Sequence, residues 1–544
     1  MAFAVPARRR LAIGTALLVS LVSLAAAGKA VLYDTLDPDC FLHLLAADQL
    51  LSDGIGPIHD RQSFASVRSP WVPYAWLAEL GMKAVWDAGG YRAAVAAQAL
   101  MAAMLVGLVA MSCVVRTRSP ADEQEDLSSY PFEESDNPVG PRPVVSRVAA
   151  VSATALAAFL SMPYLSFRPM TAALVILALC QWLLVRDRRM GERSLAVWFV
   201  VPLTALTINL HLYAVAIPLF VCAMFLGALW ERRGAYEPPD WPEADRRARR
   251  YGMMMLWTTL ACLATPMLPS IPAAFVHMQA NPIVSSTVIA EYQPFYRGPM
   301  GQIAAGGVAL LLLCVLANRR RVRAGEVFLL LVTFALLMRM GRFAPVFAVA
   351  AAPAFAQALP RFTDRLLARP AFALLVLMAV GSGVWRVGSV FPRSGETLER
   401  WVNRHGPGAP GYPCAAAEFV EKQIRPVTGR LINEYSWGGY LEWRLGDRFL
   451  ALLDGRTNCF TAEFWRVTYL SGEDTRRDFF SRIRADVAIL PASDSRFRQT
   501  LMDLGWTVAY RDDRAEVLIP PPHSARAAEP IDWHWAAARL GAEE

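Results

Sequence analysis

Residues 8–44 read RRRLAIGTALLVSLVSLAAAGKAVLYDTLDPDCFLHL. Arg8, Arg9 and Arg10 precede an apolar run over residues 11–32, and an acidic turn on Asp37, Pro38 and Asp39 follows it. A helix needs about 20 apolar residues to cross the hydrocarbon core of a bilayer. The run is longer than the apolar core of a signal peptide, and no small-residue cleavage site closes it. It reads as a retained first transmembrane helix with a cytoplasmic N-terminus. The turn after it then begins an outer loop.

Working outward, further apolar segments lie near 91–115, 148–165, 170–185, 194–208, 212–230, 252–268, 301–317, 325–339, 343–359 and 370–389. The expected fold class is an α-helical polytopic membrane protein of about 11 transmembrane helices. The basic clusters alternate with these segments. Arg8–Arg10, Arg116/Arg118, Arg186/Arg188/Arg189, Arg246/Arg247, Arg319–Arg321 and Arg361/Arg365 all fall on the side of the N-terminus. Lys and Arg mark the cytoplasmic side, so the count places residues 390–544 outside. Composition agrees. The 544 residues are 55% hydrophobic and 19% charged, against about 25% charged in soluble domains. That excludes a disordered chain, a nucleic-acid module and an ordinary cytosolic enzyme. The net charge of +7 is a topology signal, and no nucleic-acid partner is expected. The cysteines form no CxxC pair. Cys414 and Cys459, in polar surroundings, are candidates for a disulfide.

The chain divides into a transmembrane part over 1–390, an extracytoplasmic α/β domain over 391–520 and a C-terminal tail over 521–544. Within the first part, 33–90 is the first outer loop and 116–147 a cytoplasmic, acidic, Pro-rich linker of disordered composition. In the α/β domain, Asp474–Arg484 reads as helix, Val487–Leu490 as strand and Arg496–Leu504 as helix. Trp506–Ile519 reads as two strands around Arg511–Asp513.

The outer regions carry the chemistry. Pro38 suits the first turn of a helix and Asp37 its N-cap. On that helix Asp39 and His43 share a face, where a carboxylate and an imidazole can bind a metal or handle a proton; a plain Asp–His pair is the alternative. Asp60 follows in a turn-rich stretch, and Glu79 closes an aromatic run from Trp71. Asn209 and His211 sit between two apolar runs, where polar groups need partners. Glu291 lies in the loop before the 301–317 segment. Arg339 and Arg342 suit phosphate or reach lipid headgroups. Gly438 and Gly439 suit a close backbone approach or a helix start. Asp454 and Arg456, flanking Gly455, suit an anionic or sugar ligand or an internal salt bridge.

Taken in order, these motifs resemble the GT-C glycosyltransferase superfamily, which includes protein mannosyltransferases, aminoarabinose transferases and oligosaccharyltransferase catalytic subunits. The carriers are Asp37-Pro38-Asp39…His43-Leu44, Pro57-Ile58-His59-Asp60…Ser63-Phe64, Pro70-Trp71-Val72…Trp76-Leu77, Asn209-x-His211, Ile289-x-Glu291-Tyr292-x-Pro294 and Arg342-Phe343-x-Pro345. The Trp437–Tyr440 and Asp454–Arg456 stretches recur there too. Thr265-Pro266 and Ala75 depart from the pattern, which has Asn-Pro and an acidic residue at these places.

The resemblance implies an enzyme of the bacterial inner membrane that uses a polyprenyl-phosphate-linked sugar at the outer face. It implies Asp39 or Asp37 as catalytic base, or as ligands of a divalent metal such as Mg or Mn. His43, Asp60, Asn209, His211, Glu291 and Arg342 become the substrate-binding candidates. The implied partners are membrane lipids, the lipid-linked sugar and an acceptor. The rival expectation is a non-enzymatic transporter or an envelope-assembly scaffold.

Overall fold

The computed structural model describes residues 7–28, 37–59, 61–66, 70–117, 147–234, 241–269, 271–272, 290–359, 395, 412–424, 428–493 and 496–522. They fall in two compact units. One comprises Met1–Leu32, Ala96–Thr265 and Glu291–Phe391, the other Tyr33–Val95, Pro266–Ala290 and Pro392–Glu544. The first outer loop, read from sequence as part of the transmembrane portion, thus groups with the C-terminal residues. The expected 370–389 segment, the linker over 118–146, Asp60 and the tail from 523 lie outside the described residues.

The first unit is helical. Its elements are α1 (Ala7–Ala27), the second part of α3 (Trp76–Thr117), α4 (Arg147–Ser161), α5 (Pro169–Arg189), α6 (Val200–Leu210), α7 (Ala216–Gly234), α8 (Trp241–Ala261), α9 (Gly298–Ala317), α10 (Ala324–Arg339) and α11 (Ala344–Ala358). Each described apolar segment expected from the sequence overlaps one of these helices, although 252–268 runs past the end of α8 and 194–208 begins in a 3-10 turn before α6. Among the described residues, four stretches are long and apolar enough to cross a membrane: Trp76–Thr117, Pro169–Arg189, Leu212–Gly234 and Gly298–Ala317. α8 is as long as α5 but carries a charged first half, and α4, α6, α10 and α11 are shorter, so four of the expected eleven or so qualify by length and composition among the described residues.

Packing explains one of the short helices. α11 has 15 residues, and almost every one is buried. Its alanines let α4, α5, α9 and α10 approach its backbone closely, as small residues do between helices in lipid. Being apolar all round, it needs no water-facing side. Gly227 on α7 meets Gly325 on α10 so tightly that a Cβ at Gly227 would overlap the Gly325 backbone. Arg116 and Glu326 form a salt bridge in the same unit.

The second unit is α/β. It holds α2 (Asp39–Asp53), the ribbon of β1 (Ile58–His59) and β2 (Pro70–Trp71), and the first part of α3. α3 breaks at Gly89–Gly90, where Gly90 has φ 57°, a conformation that favours glycine. The C-terminal residues add α12 (Cys414–Gln423), β3 (Gly429–Asn433), α13 (Gly438–Leu445), β4 (Phe449–Ala451), α14 (Glu473–Arg482), β5 (Val487–Pro491), α15 (Arg496–Asp503), β6 (Thr507–Arg511) and β7 (Ala515–Ile519). From α14 onward these match the elements read from the sequence to within two residues. The sheet order is β4-β3-β5-β7-β6. β3 runs parallel to β4 and β5, and β7 antiparallel to β5 and β6.

The outer loop and the sheet share backbone bonds. Ala451 N–H donates to Gln62 O (2.8 Å) and Phe64 N–H to Ala451 O (3.1 Å), so residues 62–64 lie along β4. Ala65 joins the apolar core of Leu452, Phe464, Trp465, Phe479 and Phe497. Asn433, wholly buried, links the ends of β3 and β4: its Nδ2 donates to Leu453 O (2.8 Å) and its Oδ1 accepts from Leu452 N–H (3.0 Å). The candidate Cys414–Cys459 disulfide does not form; both residues are thiols. The Cys414 sulfur instead lies 3.2 Å from the Tyr440 hydroxyl, while Cys459 is packed into the core.

Candidate active site

The start of α2 is built from short-range chemistry. Pro38, at φ −53°, presets the first turn. The Asp37 carboxylate accepts the Asp39 N–H at 3.0 Å, which is the capping role its place before a proline suggests. Phe41 anchors the turn. Its ring lies 5.1–5.8 Å from those of Trp86, Tyr412, Tyr440 and Trp443. Burial pushes the Cys40 thiol and the Tyr412 phenol well above their ordinary pKa values, and the charges of Asp37 and Asp39 add to both shifts. Both groups are neutral beside the two carboxylates.

The two glycine motifs form the surface on which this turn rests. A Cβ at Gly455 would come within 2.5 Å of Asp39 Oδ1 and 2.9 Å of Leu42 Cδ1. A Cβ at Gly439 would meet Leu42 Cγ at 2.8 Å and Pro38 O at 3.0 Å. Gly438 in turn faces the backbone of Leu453 and Asp454. Both sequence readings are realised: Gly438 and Gly439 open α13, and both allow a close backbone approach.

Asp454 and Arg456 form an internal pair. The Arg456 Nε lies 3.1 Å from both Asp454 oxygens, its Nη2 donates to Glu442 Oε2 (3.0 Å), and its Nη1 to Gln62 Oε1 (3.3 Å). Asp454 and Glu442 are at most 1% exposed. Burial alone would raise the Asp454 carboxyl; the Arg456 guanidinium more than reverses this and holds it below the usual carboxylate range.

His43 takes an unexpected partner. Its Nδ1 lies 3.0 Å from Glu79 Oε1, and Glu79 is 1% exposed. A carboxylate only accepts, so Nδ1 donates and the neutral ring keeps its lone pair on Nε2. Glu79 Oε2 is buried with no hydrogen-bond partner among the described residues. The sequence offered one signal for Glu79: a lone acid in an apolar, aromatic run.

Asn209, His211, Glu291 and Arg342 belong to the helical unit. Asn209 Nδ2 donates to Ala205 O and Ala264 O, both at 2.8 Å, tying α6 to the segment after α8. His211 Nδ1 accepts the Tyr213 N–H (3.1 Å), so in the neutral ring the proton sits on Nε2. The Tyr213 hydroxyl donates to Arg342 O (2.7 Å), and Arg342 Nη1 donates to the Tyr292 hydroxyl (2.9 Å). Glu291 pairs with Arg168, which the sequence reading passed over. Burial raises the Glu291 carboxyl, but Arg168 and Arg342 outweigh it, leaving the group below its ordinary value. Gly341 makes this turn possible: its N–H donates to Gln293 O (2.9 Å), and a Cβ there would lie 2.9 Å from the Tyr164 hydroxyl.

The structure therefore brings Asp37, Asp39 and His43 together on one helix start, and Asn209, His211, Glu291 and Arg342 into one set of turns in the other unit. Among the described residues no group of three or more His, Cys, Asp or Glu is placed to hold the divalent metal that the resemblance implies. Asp37 is engaged with its own turn and His43 with Glu79.

The oligosaccharyltransferase of Archaeoglobus fulgidus, tethered to an acceptor peptide with the NVT sequon, is similar at TM-score 0.51. The likeness covers 88% of this chain and 69% of that one at 13% identity. The same enzyme in complex with Zn and sulfate gives 0.48 at 14% identity, over 87% of this chain and 68% of that one. ArnT from Cupriavidus metallidurans bound to undecaprenyl phosphate gives 0.42 at 15% identity, over 95% and 99%. The fold is similar to that of the Archaeoglobus fulgidus oligosaccharyltransferase. No family profile and no curated protein matches the chain.

Proposed function

We propose that the protein transfers a sugar from a polyprenyl-phosphate-linked donor to an acceptor at the outer face of a bacterial inner membrane, with Asp39 as general base. The observation that supports this is the setting of Asp39. It is a half-buried carboxylate at the start of α2, held against Gly455 within a GT-C-type fold. In the reaction the acceptor hydroxyl gives its proton to Asp39 as its oxygen bonds the sugar. The bond from the sugar to the phosphate breaks, and the polyprenyl phosphate leaves with the electron pair. Asp37 keeps the turn in place through the Asp39 N–H. Arg342 is the candidate cation for phosphate, since a guanidinium matches phosphate oxygens geometrically. His43, Asp60, His211 and Glu291 are candidates for contacts to substrate, and Asn209 for shaping the turn beside His211.

The test compares the envelope glycans and polyprenyl-linked sugars of cells with and without the gene. Loss of one glycan together with accumulation of one lipid-linked sugar is expected. Unchanged glycans and lipid-linked sugars would contradict the reading and leave a transporter or scaffold.

A further inference from the structure

A cavity of about 680 Å³ lies between α1, the second part of α3 and the end of α5. It is the size of a small-molecule site, and the proposed transfer reaction does not use it. Its walls include Val19 and Val22 of α1 and Gly107 and Met111 of α3, and the α5 side carries Arg186 and Arg189. Val19 and Met111 are 59% and 46% exposed, so the cavity opens at the surface of the helical unit.

The charges at the end of α5 are unevenly matched. Asp187 meets Arg250 at 3.0 Å, and Arg188 meets Glu192 at 2.6 Å and Glu231 at 2.7 Å. Arg189 Nη1 donates to Val115 O at 3.3 Å. Arg186 stacks over the Trp182 ring at 5.6 Å and pairs with no carboxylate among the described residues. A half-buried guanidinium with no counter-charge among the described residues therefore faces an apolar cavity. An anion bound there would relieve that imbalance, and the apolar walls demand that the anion carry a hydrocarbon chain.

We propose that this cavity is a binding site for an anionic phospholipid, with an acyl chain between α1 and α3 and the phosphate on Arg186. Basic pockets between transmembrane helices recognise lipid headgroups in this way. The site is independent of the transfer reaction and of which leaflet it faces.

The full-length protein, delipidated in neutral detergent, is titrated with phosphatidylglycerol, phosphatidylcholine or polyprenyl phosphate. Binding is read by native mass spectrometry and by the shift in thermal unfolding. Phosphatidylglycerol should bind best, and Arg186→Gln should cut its preference over phosphatidylcholine about fivefold. Gly107→Leu should weaken both phospholipids, because a Cβ there meets no atom within 4 Å and the side chain can grow into the cavity while the helix is kept. Equal binding of the two phospholipids, an unchanged preference in Arg186→Gln, or a preference for polyprenyl phosphate would each overturn the assignment.

Discussion

Asp454 and Glu291 each meet an arginine, in opposite surroundings. At Asp454 one guanidinium, Arg456, serves two carboxylates, its own neighbour and Glu442, and the side chains are at most 7% exposed. At Glu291 one carboxylate feels two guanidiniums, Arg168 and Arg342, and its side chain is 26% exposed. The first group is sealed, with its hydrogen bonds turned inward, and it underlies the turn that carries Asp39. The second is open and cationic on balance. A sealed pair can only hold structure; an open turn with an extra cation can also receive an anion. Similar residue types thus do different work, and burial with local charge balance decides which.

Removing the cation from the sealed group should have the largest effect. Arg456→Met leaves Asp454 and Glu442 buried without a counter-charge, and breaking such a pair costs about 3–5 kcal/mol. Thermal unfolding in detergent should show a large fall in Tm; an unchanged Tm would mean that the group is not sealed. Crowding the surface beneath α2 should come next. In Gly439→Val the side chain collides with Leu42 and the Pro38 carbonyl, and overpacking of this kind costs about 1–3 kcal/mol. The same unfolding measurement checks it, and no loss would show that the turn shifts freely.

The open pair should matter least. Arg168→Gln should cost less than Arg456→Met, because Arg342 remains beside Glu291 to offset its charge. Its pH dependence has a definite sign. Glu291 titrates lower in the folded protein than the ordinary 4.5. The pair's contribution is therefore complete above pH 4.5 and is lost as pH falls through the lower folded value. A stability–pH profile should lose this acid limb in Glu291→Gln; an identical profile in the variant would remove the pair.

What the sequence made legible follows from range. The apolar runs, the strand pair over Trp506–Ile519 and the cap at Asp37 are set by neighbouring residues, and they appear in the structure where the pattern puts them. The His43–Glu79 pair joins residues 36 apart, and the Gln62–Arg456 bond joins residues 394 apart; no local pattern reports either. The Asp454–Arg456 pair stayed open between ligand site and salt bridge because burial decides it, and burial depends on the outer loop lying along β4. Cys414 and Cys459 looked alike in composition, but their partners come from the fold. Asn209 and His211 were legible as polar groups between apolar runs, and Arg342 as a cation suited to phosphate, whereas the Arg168 partner of Glu291 lies 123 residues away in sequence.

The most direct test of the central claim compares Asp39→Asn with Asp37→Asn in the full-length protein. The readouts are membrane abundance, thermal stability and the envelope glycan that depends on the gene. Losing a general base typically lowers rate by about 10²–10⁴, whereas losing a cap costs about 0.5–2 kcal/mol. Asp39→Asn should therefore abolish the glycan while the protein still inserts and keeps its Tm, and Asp37→Asn should lower Tm and leave the glycan largely in place. Wild-type glycan in cells carrying a well-expressed Asp39→Asn protein would contradict the account.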